Sequence, residues 1–107
     1  MITPMYIVIF ITASNKKEAQ KIGISLIKQK LAACVNIVDK VDSVFFWKSK
    51  IDRACESLLI IKSKRDKLAK IIKLVESIHS YQVPEIIALP IIAGSKSYLR
   101  WIDASLR

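Results

Sequence analysis

One histidine, His79, stands in the segment His79-Ser80-Tyr81-Gln82-Val83-Pro84-Glu85. An imidazole suits copper or zinc, and Glu85 adds an oxygen ligand within reach of the same segment. These two residues, His79 and Glu85, are the candidate metal ligands. A dedicated site needs three or four ligands, far more than one histidine supplies. The competing role for His79 is a helix-terminus histidine, whose cation the helix dipole favours. Cys34 and Cys55 fall in strand-like stretches, with no C-x-x-C and no Cys/His pair at ligand spacing. Free cysteines are among the most buried residues, so both are expected to be buried, although a thiol would also suit copper(I). Glu85, between Pro84 and an apolar run, needs a basic partner if it is buried. Tyr81, Tyr98 and Trp101 are amphipathic rings expected in core or interface. With Lys62, Tyr81 and Trp101 could line a pocket between subunits, a common place for ligands. No G-x-S-x-G, P-loop or G-x-G-x-x-G is present, and no enzyme is expected on that ground.

These side chains need elements to position them. Residues 5–13 are a nearly continuous apolar, β-branched run, which reads as a strand covered on both faces or central in its sheet. Asn15 and Glu18 form a capping-box signature, so a helix starts near Lys16. Ala19, Ile22, Gly23, Leu26 and Ile27 share one face of it. Gly23 on that face predicts close packing against the sheet. Residues 33–47 and 51–63 read as a long hairpin around the polar turn Lys48-Ser49-Lys50. Fifteen residues at ~3.3 Å each span about 50 Å, whereas a compact domain of this length is about 34 Å across. Either the strand bends at Asp39-Lys40 or the hairpin projects. A projecting tip carrying Phe45, Phe46 and Trp47 needs a partner to cover it. Residues 65–78 form a second amphipathic helix, residues 86–92 a buried strand, and a short helix begins after Gly94-Ser95. The order is β-α-β-β-α-β-α. That is an α+β, ferredoxin-like plan: one domain, residues 1–107, an antiparallel sheet with its helices on one face.

The chain has 107 residues and a formal net charge of +9. The charge is spread evenly, +5 over residues 1–50 and +4 over residues 51–107, with no basic tail. Fourteen lysines, abundant isoleucine and only two glycines suit compositional drift better than a nucleic-acid footprint. RNA-recognition domains share this fold plan but stack bases on strand aromatics, and Ser57-Leu-Leu-Ile-Ile-Lys-Ser63 has none, so no specific nucleic acid is expected. No apolar run reaches the ~18 residues of a membrane span. No secretory signal is read at the N-terminus, and two unpaired thiols suit the cytoplasm.

Four motifs occur in order: Leu31-Ala-Ala-Cys-Val-Asn36, the Trp47-x-x-Lys50-Ile51 turn, His79-x-Tyr81-x-x-Pro84-Glu85-Ile86-Ile87-Ala88-Leu89-Pro90, and Tyr98-Leu-x-Trp101-Ile102. Together they resemble the CutA family of divalent-cation tolerance proteins, from about Ile7 to the C-terminus. The resemblance implies a ferredoxin-like fold and a tight homotrimer whose hairpins and strand edges pair between subunits. It also implies a cytoplasmic protein of copper and divalent metal ion tolerance, with Cu²⁺ or another divalent cation bound weakly. The alternative is a small-ligand sensor or enzyme using an intersubunit pocket near Tyr81, Glu85 and Trp101. The chain departs from the family pattern at three turns. Asp39-Lys40 stands where Pro-Gly is usual, Ser49 where Gly is usual, and His79-Ser80-Tyr81 where His-Pro-Tyr is usual. The lost glycines, at Asp39-Lys40 and Ser49, predict some strain or altered turns there, but not a different fold.

Overall fold

A computed structural model describes residues 5–107. The first four residues, on which the expectation of no secretory signal bears, lie outside the described range. The elements run β1 (Tyr6–Ala13), α1 (Lys16–Lys28), β2 (Cys34–Trp47), β3 (Lys50–Lys64), α2 (Leu68–Ile78), β4 (Ile86–Pro90) and α3 (Lys96–Ser105). A single 3₁₀ turn, Arg65–Lys67, leads into α2. It takes up the first turn that the sequence assigned to the second helix, Asp66 included. The four strands form one antiparallel sheet in the order β2-β3-β1-β4.

Strand alternation puts Ile7, Ile9, Ile11 and Ala13 of β1 on the same side as Leu59 and Ile61 of β3. These pack with Ala19, Ile22 and Leu26 of α1 and Ile71 and Val75 of α2 to form the core. Gly23 sits where α1 meets β2. A Cβ there would lie 3.1 Å from Val35 Cγ1, tighter than ordinary packing, which is the close approach its position predicted. The third helix departs from the one-face plan. Its Asp103 accepts a hydrogen bond from the Tyr6 hydroxyl (2.7 Å) and pairs with the Lys64 ammonium (2.8 Å). Tyr6 and Lys64 are register partners that alternate to the face opposite α1 and α2, so α3 lies against that other face.

The hairpin both bends and projects. Between Val38 and Val41 the β2–β3 register slips by one residue. Lys40 there has φ 59°, so the extra residue forms a bulge in a conformation usual for glycine. Beyond it, Val41–Trp47 and Lys50–Cys55 run out with most side chains exposed. The long axis reaches 44 Å and the radius of gyration 14.5 Å, against about 13 Å for a compact chain of this length.

Two burial expectations are corrected. The β4 strand is shorter than the run 86–92 and lies at the sheet edge, with Ile87 and Leu89 exposed rather than buried. Their register partners Phe10 and Val8 point to the face away from α1 and α2, so the helix layer does not cover them. Neither cysteine is buried in the subunit. Cys34 is half-buried and Cys55 exposed, the latter in the stretch of β3 that has left the core.

Candidate functional site

The β2–β3 hairpin and the segment after α2 enclose a cleft of about 740 Å³. Hairpin residues Phe45, Trp47, Asp52 and Glu56 form one wall, and Tyr81 and Glu85 line the other. The α2–β4 connection places the second wall, and the reason lies in its hydrogen bonds.

His79 ends α2 with its side chain wholly buried. Its Nδ1 accepts the Tyr81 backbone N–H at 3.0 Å, so Nδ1 carries no proton. Its Nε2 lies 2.7 Å from the Thr12 carbonyl oxygen, so Nε2–H donates there. Those two partners assign the neutral Nε2–H tautomer and leave the ring no free lone pair within the subunit. The ring also packs against Tyr81, centroids 4.8 Å apart. His79 therefore shapes the turn that sends Tyr81 into the cleft.

The Tyr81 hydroxyl donates to Glu56 Oε2 at 2.7 Å. Burial first, and the Glu56 carboxylate second, push the Tyr81 pKa well above the ordinary phenol value. It remains a protonated donor across the physiological range.

Glu18 fastens the same segment from the other side. Its Oε1 accepts from the Ser14 N–H (2.9 Å), the Ser14 hydroxyl (2.8 Å) and the Ser80 hydroxyl (3.0 Å), and its Oε2 from the Ser80 N–H (2.7 Å). Burial opposes ionisation of this carboxyl, but those bonds outweigh it and hold its pKa at about 2. Half of the expected capping box is present: Asn15 Oδ1 accepts the Glu18 N–H at 2.8 Å. The carboxylate goes to Ser14 and Ser80 instead of returning to Asn15. Ser80 matters because a proline at that position would have no N–H to give.

Glu85 is exposed at the cleft wall, so the buried ion pair considered for it is not required. Of the pocket residues read from sequence, Tyr81 and Glu85 share the cleft. Lys62 and Trp101 lie outside it in the subunit. Lys62 donates to Asn36 Oδ1. Trp101 packs on Tyr98, centroids 5.4 Å apart, on exposed α3 surface. Burial and the nearby Cys34 raise the Tyr98 pKa. Among the described residues, no three His, Cys, Asp or Glu side chains converge closely enough to hold a metal ion. Glu56 escaped the sequence reading, although a carboxylate entering the apolar stretch of its strand was a local signal, and Glu18 was read only as part of the helix cap, not as the tie to Ser80.

The profile of the family described as CutA1 divalent ion tolerance protein matches residues 7–105. The chain belongs to the CutA1 divalent ion tolerance family. An Archaeoglobus fulgidus relative named divalent-cation tolerance protein CutA is 42% identical, with 95% of this chain and 99% of that protein aligned. The chloroplastic CutA of Arabidopsis thaliana is 44% identical over 94% of this chain. The chain spans 56% of that protein's length and 57% of a rice chloroplastic relative's, less than two thirds of either. The A. fulgidus structure, described as a periplasmic divalent cation tolerance protein, superposes with a TM-score of 0.94 at 42% identity. It covers 96% of this chain and 100% of its own. CutA1 from Oryza sativa superposes equally well, TM-score 0.94 at 43% identity, covering 98% and 96%. The α+β fold and the family resemblance thus agree with the sequence reading.

Proposed function

We propose that this family member works as a homotrimer of ferredoxin-like subunits in divalent-cation tolerance, binding Cu²⁺ or a related ion weakly and catalysing no reaction. The observation that carries the cation reading is the cleft. In a chain of net charge +9, its wall presents Asp52, Glu56 and Glu85. The arginine beside them, Arg53, already pairs with Asp42 at 3.2 Å. Oxygen ligands of this kind suit hard divalent ions, and copper(II) accepts them together with nitrogen. Among the described residues one chain alone brings no full ligand set together, which agrees with weak binding or ligands shared between copies. Exposed Glu85 is the available ligand. His79 joins it only by giving up Tyr81 N–H or the Thr12 carbonyl. The sheet order supports the ferredoxin-like assignment, and two unpaired thiols support a reducing compartment such as the cytoplasm.

Isothermal titration of Cu²⁺ into the intact protein tests this reading. Saturable binding that weakens several-fold in Glu85→Gln is expected. Only dilution heat in the wild type, or an unchanged isotherm in Glu85→Gln, would contradict it. An unchanged isotherm in His79→Ala would remove the imidazole from the ligand set. A second reading, a small-ligand site, has its own support. A volume of about 740 Å³ falls within the roughly 300–1,000 Å³ typical of ligand pockets.

A further inference from the structure

The charge of +9 is even along the sequence but uneven over the fold. Residues 16–30 and 65–78, which contain α1 and α2, carry nine lysines and arginines against three acids, whereas residues 34–56 of the hairpin carry four of each. Compositional drift alone would load both exposed regions alike. Of the three acids, Glu18 is already bonded to Ser14 and Ser80. On α1, Lys17, Lys21, Ile24 and Lys28 recur at intervals of four, three and four. That spacing lines them along the side opposite buried Ala19, Ile22 and Leu26. Lys70 and Lys73 are exposed on α2, whose Ile71 and Val75 fill the same core. Among the described residues, none of these five lysines has an ion-pair partner. Ile24 stands 55% exposed among them. The proposed trimer gives hairpins and strand edges to other copies and leaves this helix layer open.

The chemistry of this face selects its partner. All five charges are ammoniums, point charges that suit a diffuse negative surface, whereas forked recognition of single phosphates or carboxylates uses arginine. Neither helix carries an aromatic ring, and surfaces that bind single-stranded nucleic acid stack bases on such rings. An exposed isoleucine gains nothing from a phosphate backbone but is stabilised at the boundary of lipid headgroups and acyl chains. We infer that the α1–α2 layer is a peripheral docking surface for a bilayer containing anionic phospholipid. The five lysines lie over the headgroups, and Ile24 enters their boundary. The inference is independent of the cation reading and requires no membrane span.

The test is flotation of the intact protein with vesicles at physiological salt. One set mixes phosphatidylglycerol with phosphatidylcholine, and the other is phosphatidylcholine alone. Binding to the mixed vesicles only is expected. The triple variant Lys17→Gln, Lys21→Gln, Lys28→Gln weakens it by about tenfold or more, since each lysine near an anionic surface adds its own attraction. The triple variant Lys40→Gln, Lys96→Gln, Arg100→Gln removes the same charge from exposed positions outside the layer and changes binding by less than about twofold. Ile24→Ser, which alters no charge, weakens binding several-fold. Equal losses in the two triple variants would show that net charge alone acts and would overturn the inference. Equal binding to neutral vesicles, or no vesicle binding, would overturn it as well. Binding of polyuridylate or polyglutamate through the same lysines, without vesicle binding, would overturn the lipid assignment in favour of a nucleic acid or an acidic protein.

Discussion

Glu18 joins the end of β1, the start of α1 and the segment after α2 through one carboxylate. Its pKa lies at about 2 in the folded chain, below the ~4.3 of an unfolded glutamate. A depressed carboxyl contributes stability that is complete above the unfolded pKa and is lost as the pH falls through the folded one. Glu18→Gln should therefore lower stability near neutral pH by about 1–2 kcal/mol. The deficit should shrink below about pH 4.3 and vanish as the pH falls through about 2. Urea unfolding of both proteins across that range checks it, and a pH-independent deficit would contradict the ionic role. Much of this site was hidden in the sequence for a physical reason. His79 was conspicuous as the lone histidine, but its Thr12 acceptor is 67 residues away and Ser80 is 62 residues from Glu18. Only the fold brings such pairs together, whereas the local Asn15–Glu18 cap was legible because it spans three residues.

At the scale of elements, the turns bear out the strain expected where glycines are missing. Lys48 and Ser49 join β2 to β3 as a two-residue turn with both φ values positive, 50° and 64°. Such turns favour Asn-Gly, because a side chain in the left-handed region costs roughly 1–2 kcal/mol. Ser49→Gly relieves that strain and gives back part of the gain as unfolded-chain entropy. A net stabilisation of about 0.5–1 kcal/mol is expected, read as a higher denaturation midpoint. No change or a lower midpoint would show that the turn is not strained. Gly23 works in the opposite sense. A valine there drives branched carbon into Val35, already 3.1 Å from a bare Cβ position. Gly23→Val should destabilise by about 1–3 kcal/mol, and thermal melting checks it. The strands and helices themselves were legible because their apolar periods are local. The edge position of β4 and the placement of α3 on the far face were not, since both depend on pairings across the sheet.

The whole subunit exposes more than it should. Its accessible surface is 7297 Å², against about 6,000 Å² for a compact monomer of this mass. The excess carries large apolar side chains: Phe46 is 72% exposed, Ile51 73% and Ile92 91%. Among the described residues both outer strands, β2 and β4, have unpaired edges. The length argument from sequence had pointed the same way, since a hairpin of that reach leaves the core of a single short domain. Within the proposed reading, the chain's own core ends at the bulge, and further copies cover the remainder. Association of this kind links stability to concentration. Sedimentation velocity at micromolar concentration tests it most directly: the account predicts one species at three times the 12.1 kDa subunit mass, and a stable 12.1 kDa monomer would contradict it.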